Sequence, residues 1–149
     1  MENRRWLSKK PIPVRERLIF ALDVADVAAA KNLVETLGES VTFYKLGLEL
    51  FMSGNYFELL DWLGARHKKI FADLKFFDVP QTVGSAVRQL KGRKIEFVTV
   101  HGNDEIMKAA CREKNDVKIL AVTVLTSLDD GDLKDLGFKV DAGQLVLSR

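Results

Sequence analysis

Residues 69–80 read Lys69-Ile70-Phe71-Ala72-Asp73-Leu74-Lys75-Phe76-Phe77-Asp78-Val79-Pro80. The first half is an apolar run of strand length, and charges rather than a glycine-rich turn bring it to an end. Side chains alternate along a strand, so Phe71, Asp73 and Lys75 share one face. Pro80 suits the first turn of a following helix, where its missing N–H costs no hydrogen bond. The stretch predicts a strand, a charged strand end and a helix.

The same order recurs on both sides of it. Strand-like runs fall at Leu18–Asp23, Val41–Gly47, Lys69–Lys75, Ile95–His101 and Val117–Leu125. Between them lie helix-length segments with apolar residues at 3.6 spacing, among them Val27, Leu33, Val34 and Leu37, then Phe57, Leu60 and Leu63. Gly38 marks a helix stop, and Asp26 and Asp104 stand near helix starts. Strand then helix, repeated, is an α/β chain with a parallel sheet. Two architectures remain, an open doubly wound sheet or part of a (β/α)8 barrel. The first run ends in Leu22-Asp23-Val24-Ala25, with no G-x-G-x-x-G and no G-x-x-x-x-G-K phosphate turn. Instead the strands end in polar or ionisable groups: Asp23, Lys45, Asp73 with Lys75, His101, and Thr123 through Ser127. Functional groups delivered to one rim by successive strands are the mark of the barrel's C-terminal face. The expectation is a TIM-barrel chain of about the first four and a half to five βα units.

Composition bounds what such a chain does. Its 149 residues are 47% hydrophobic and 30% charged, enough for one packed domain. A net charge of +2 argues against a dedicated nucleic-acid binder. The charge is uneven: residues 1–17, a basic tail that Trp6 could dock, carry Arg4, Arg5, Lys9, Lys10, Arg15 and Arg17 against Glu2 and Glu16 and sum to +4, and residues 18–149, which form the domain, sum to −2. No apolar run reaches membrane-spanning length, so no membrane partner is expected. The single Cys111 reads as a buried thiol in a reducing, cytoplasmic setting.

An isolated buried charge is prohibitive, so Lys45, Asp73, Lys75 and Asp78 read as an alternating network that neutralises itself. Such a network suits decarboxylation. A substrate carboxylate beside Asp73 meets repulsion that vanishes as CO₂ leaves, while an ammonium such as Lys75 stabilises the carbanion and then protonates it. No electron-sink cofactor is needed in principle.

The chain resembles the orotidine 5′-monophosphate decarboxylase family from about Leu18 onward. The resemblance rests on Ala21-Leu22-Asp23, Phe43-Tyr44-Lys45-Leu46-Gly47, Asp73-x-Lys75-x-x-Asp78-Val79-Pro80-x-Thr82, Val98-Thr99-Val100-His101 and Val122-Thr123-Val124-Leu125-Thr126-Ser127. It implies conversion of orotidine 5′-monophosphate (OMP) to UMP and CO₂ in pyrimidine biosynthesis, without metal or organic cofactor. Lys45, Asp73, Lys75 and Asp78 would be the catalytic tetrad, with Lys75 the proton donor to C6 and Asp73 beside the departing carboxylate. Lys45 would hold Asp73 and the ribose, Asp23 a ribose hydroxyl, and Ser127 the pyrimidine. Asp78 and Thr82 would enter the partner's site in a homodimer.

The chain departs from that pattern where it reaches Arg149 inside what reads as the fifth helix, before the family's phosphate-gripping loops. Weak or no activity of the 149 residues alone is therefore expected. Gly102 is a smaller departure, because Ala more often follows that His. Two alternatives stay open: a Mg²⁺-dependent enzyme resembling 3-keto-L-gulonate 6-phosphate decarboxylases and hexulose-phosphate synthases, or a non-catalytic half-barrel assembly module. Plainer readings also stand beside the functional ones. Asp78 fits an N-cap, Ser127-Leu128-Asp129-Asp130 a capping box, Asp23 a turn residue and His101 a structural hydrogen-bonding group. His67 and Cys111 have no ligand spacing around them.

Overall fold

The computed structural model describes residues 10–149. The suggested docking of Trp6 and the basic groups Arg4, Arg5 and Lys9 lie outside the described residues. Five strands, β1 (Phe20–Ala21), β2 (Phe43–Leu46), β3 (Lys69–Phe76), β4 (Ile95–His101) and β5 (Lys118–Val122), form one parallel sheet in sequential order. An open doubly wound sheet reverses its strand order at a switch point. Here the order never reverses, so the crossovers stack their helices on one face and leave the other as the inside of a partial barrel. None of the described helices is long and apolar enough to cross a membrane.

Local chemistry sets the connections. Helix α1 (Val27–Leu37) begins where the Asp26 carboxylate accepts the Ala29 N–H at 2.8 Å, and it ends at Gly38 with φ 53°, a left-handed turn that glycine adopts freely. After β2 come a short α2 (Leu48–Met52) and α3 (Tyr56–Ala65), then α4 (Pro80–Arg88) and α5 (Asp104–Glu113) after β3 and β4. Leu22, Tyr44, Leu46, Ile70, Ala72, Leu74 and Val98 of the sheet pack against Val34, Leu50, Leu59, Leu60 and Leu63 of α1–α3. Val100 continues the layer against Val83, Val87, Ile106 and Ala110 of α4 and α5. On the inner face Phe97 stacks on Phe43 at 5.7 Å and meets the edge of Phe71 at 5.9 Å.

Several expectations are corrected. Strand β1 is only a two-residue ladder with β2, since an edge strand has one neighbour to hold it. Strand β5 stops at Val122, so Thr123 through Ser127 lie in the following loop rather than on the strand. The helix expected after it is two pieces, α6 (Asp130–Asp135) and α7 (Ala142–Ser148), separated at Gly137 with φ 88°. The capping box there starts at Asp129 and not Ser127: the Asp129 carboxylate accepts the Gly131 and Asp132 N–H groups while Asp132 accepts that of Asp129. A carboxylate at the helix boundary itself outcompetes a serine two residues upstream. Cys111 is exposed rather than buried, because it sits on the solvent side of α5 while Ile106, Ala109 and Ala110 face inward.

Two features at the lower end of the sheet carry no signal in a single strand. Lys68 is buried, its ammonium donating to the Gly38 and Val41 carbonyls at 2.7 and 3.1 Å and to Glu39 at 3.0 Å. A register shift between β3 and β4 leaves Glu96 unpaired between Ile95 and Phe97. There Glu96 meets Lys118 and, at 3.8 Å, Lys69, which also holds Glu16 at 2.7 Å.

Candidate functional site

The upper strand ends bring four of the expected residues together. Lys75 Nζ lies 2.9 Å from Asp73 Oδ2, and Lys45 Nζ reaches the same oxygen at 3.5 Å and Asp23 Oδ1 at 3.7 Å. β2 and β3 position the two lysines across adjacent strands, and the loop after β1 brings in Asp23. Within the chain the self-neutralising set is therefore Asp23, Lys45, Asp73 and Lys75.

Asp78 does not complete it, and so does not join the self-neutralising network of Lys45, Asp73, Lys75 and Asp78 expected from the charges alone. Its carboxylate turns back to accept the Val79 N–H at 2.6 Å, is exposed, and has no ion pair among the described residues. Nor is it the N-cap. The helix starts at Pro80 behind Val79, whose extended backbone is what a residue before proline prefers. Thr82 lies in the first turn of α4 and Ser127 in the loop after β5, both exposed and neither in contact with the cluster.

Strand β3 does not keep its pleat to the end. Ala72 pairs with Val98 and Phe76 with Val100, so four steps on β3 face two on β4 and the intervening residues bulge out of the ladder. Lys75 adopts φ 47° in this bulge, a left-handed conformation unusual for a long side chain. Strict alternation predicted the right neighbours for a different reason: the bulge, not the pleat, turns Lys75 toward Asp73. Thr99, which no role was attached to, faces this bulge and is 5% exposed. Its hydroxyl lies 2.9 Å from Asp73 Oδ1 and accepts the Lys75 backbone N–H at 2.9 Å.

Burial pushes the Asp73 carboxyl up, but the hydrogen bonds from Lys75 and Thr99 and the charges of Lys75 and Lys45 outweigh it and hold it below its ordinary value. Asp73 is thus ionised at neutral pH. Tyr56, beneath it on α3, is pushed well up by burial and by the Asp73 charge. His101 stacks on Phe77 at 4.4 Å between ring centroids; burial, then the charges of Arg149 and Lys75, lower it from 6.5. A side-chain Cβ at Gly102 would stand 3.0 Å from the Val122 carbonyl oxygen, which accounts for a glycine after His101. Chemically the cluster offers one ionised carboxylate gripped by two ammonium groups and open to one side, since Lys45 and Lys75 are each partly exposed.

The sequence model of the "Orotidine 5'-phosphate decarboxylase / HUMPS family" matches residues 16–147. The orotidine 5′-phosphate decarboxylase of Methylococcus capsulatus is 66% identical over 144 residues, covering 97% of this chain and 60% of that protein. The enzyme of that name from Stenotrophomonas maltophilia is 46% identical over 147 residues, covering 96% of this chain and 61% of that one. Among solved structures, the orotidine 5′-phosphate decarboxylase of Lactobacillus acidophilus superposes with a TM-score of 0.80 at 32% identity, over 88% of this chain and 63% of that one. The chain thus spans about 60% of the length of the curated relatives it matches. That solved structure shares the fold described above over the matched region.

Proposed function

We propose, from the premise that the chain belongs to the orotidine 5′-phosphate decarboxylase / HUMPS family, that it is the part of an OMP decarboxylase that holds the reacting atoms. The observation that carries this reading is the convergence of Lys45 and Lys75 on one Asp73 oxygen at 3.5 and 2.9 Å. The substrate's C6 carboxylate lies against Asp73. As the C6–CO₂ bond breaks, its electron pair stays on C6, the repulsion between the two anions disappears, and the Lys75 ammonium faces a growing negative charge. Lys75 Nζ then gives its proton to C6, forming UMP, and is reprotonated from water. Lys45 orients Asp73 and, with Asp23, meets the ribose; Ser127 meets the pyrimidine. Lys75, Asp73 and Lys45 need no metal or organic cofactor for these steps.

Asp78 and Thr82 belong to this reading as residues offered to a second copy. Asp78 is turned away from its own cluster, and Phe77 and Val79 beside it are 66% and 62% exposed, an apolar collar suited to a homodimer interface. Residues 18–149 are the catalytic part, residues 1–17 a basic extension, and a cytoplasmic setting fits a nucleotide-biosynthetic enzyme. Relatives at 66% and 46% identity bear the name orotidine 5′-phosphate decarboxylase, which favours OMP over the sugar phosphates of Mg²⁺-dependent relatives.

The test has two parts. UMP is titrated into the protein extended to its relatives' full length, where saturable micromolar binding is expected and its absence counts against the reading. CO₂ release from carboxyl-labelled OMP is then followed in the protein extended to its relatives' full length. Lys75→Ala lowers turnover by at least about 10³-fold while UMP still binds. Substantial residual turnover removes Lys75 as proton donor, and loss of activity with a chelator returns the metal-dependent alternative.

A further inference from the structure

The bulge that aims Lys75 leaves its backbone N–H without a ladder carbonyl, because β4 has no residue paired to it between Val98 and Val100. The one β4 residue in that gap is Thr99, and its hydroxyl fills the vacancy at 2.9 Å. The direction of each hydrogen bond is forced. An amide can only donate, so Thr99 Oγ1 accepts from Lys75; a hydroxyl has one proton, so it is free to donate that proton to Asp73 Oδ1, also at 2.9 Å. Asp73 Oδ2 is left for the ammonium groups of Lys75 and Lys45. One buried hydroxyl therefore ties the backbone of the proton donor to the carboxylate that its own side chain pairs with.

We propose that Thr99 is a positioning residue for the reaction, holding Lys75 in its left-handed bulge conformation and the Asp73 carboxylate in the rotamer that presents Oδ2 to both lysines. This rests on the roles proposed above for Asp73 and Lys75. The relay is complete only while Asp73 is ionised, since a protonated Oδ1 would compete as donor for the same hydroxyl. The groups facing Asp73 are Lys45 from β2, Lys75 from β3 itself, Thr99 from β4 and Tyr56 from α3, with Asp23 reaching it through Lys45. His101, further along β4, feels Lys75. Among these, Thr99 is the uncharged contact that touches both the carboxylate and the Lys75 backbone. A threonine that merely fills space in β4 would need neither bond.

The experiment compares Thr99→Val, which keeps the branched shape and removes the hydroxyl, with Thr99→Ser, which keeps the hydroxyl. In the 149-residue chain, carbon-13 NMR follows the Asp73 carboxylate as pH is lowered, and hydrogen exchange follows the Lys75 amide. In Thr99→Val the Asp73 midpoint moves to higher pH and the Lys75 amide exchanges roughly tenfold faster, while amides in α1 and α3 keep their rates; Thr99→Ser restores both. An unchanged midpoint and exchange rate in Thr99→Val overturn the proposal. If Thr99→Val does not fold, the wild-type chain decides: a slowly exchanging Thr99 hydroxyl proton that is lost as Asp73 is protonated supports it, and a hydroxyl in free exchange with water overturns it. UMP titration of the wild-type protein extended to its relatives' full length separates the two readings. Failure to bind with Asp73 shifted as expected removes the proposed function and leaves the positioning role, whereas binding with no effect of Thr99 does the reverse.

Discussion

Lys75 combines a backbone that most residues avoid with a side chain held by a neighbour. Its φ of 47° is stabilised by the Thr99 hydroxyl and by the 2.9 Å contact with Asp73. A left-handed conformation costs a residue with a Cβ about 1 kcal/mol or more and costs glycine almost nothing. Replacing Lys75 by glycine and by alanine removes the same ammonium, yet Lys75→Gly is expected to be the more stable of the two by about 1 kcal/mol in urea unfolding. Equal midpoints would mean that the backbone relaxes without the side chain. Lys45, Asp73 and Lys75 were legible as neighbours because charges at the ends of apolar strands must find each other. The positive φ was not, because it depends on how β3 sits against β4.

Elements here are tied at their ends by buried polar groups. Lys68 satisfies two carbonyls at the C-terminal end of α1 and its following turn, with its side chain 5% exposed, whereas its partner Glu39 is 82% exposed. Removing the ammonium strands those carbonyls, so Lys68→Met is expected to lower stability by about 2–4 kcal/mol. Glu39→Gln, in water on one side, should change it by less than about 0.5 kcal/mol. Comparable losses in the two urea curves would contradict the assignment. Lower on the sheet, the hydrogen bond from Lys118 and the charge of Lys69 outweigh burial and keep Glu96 below its ordinary 4.5. A folded value below the unfolded one adds stability that is present above pH 4.5 and is lost as pH falls through the folded value. Glu96→Gln is therefore expected to be less stable than wild type at pH 7, by under about 1 kcal/mol given the exposure of Lys118, with the gap closing at an acid pH below the folded value. Paired urea titrations at the two pH values check the sign. The run Ile95–His101 gave β4 its full extent, and Gly38 and Asp26 gave α1 its ends, since periodicity and caps are local properties. The shifts at Glu96 and at 72–76 were hidden because register belongs to a pair of strands. Asp129 prevailed over Ser127 for a related reason: the cap is chosen by where the chain turns, which β5 decides by stopping at Val122.

At the scale of the whole molecule, sequential strand order leaves two edges, and these set how 149 residues behave in solution. Among the described residues β1 pairs only with β2 and β5 only with β4, so the outer N–H and C=O groups of both strands lack a neighbouring strand there. Leu120 on β5 is 38% exposed on the inner face, and an open apolar cleft of about 440 Å³ lies between the loop at Val124–Leu128 and α7. A polypeptide of these residues therefore presents edges and an inner face that another copy can meet. Self-association is expected to rise between about 5 and about 500 μM in sedimentation velocity, with the weighted-average mass moving above that of a monomer. Leu120→Glu places a charge where β5 would be covered, and burying an unpaired carboxylate is unfavourable. That variant should weaken association by at least about tenfold without moving the urea midpoint at low concentration, since Leu120 is not in the core packed against the helices. A wild-type chain that stays monomeric over the full range, or a Leu120→Glu chain that associates as strongly, would show that the edges and inner face are blunted by the loops at their ends rather than open to a second copy.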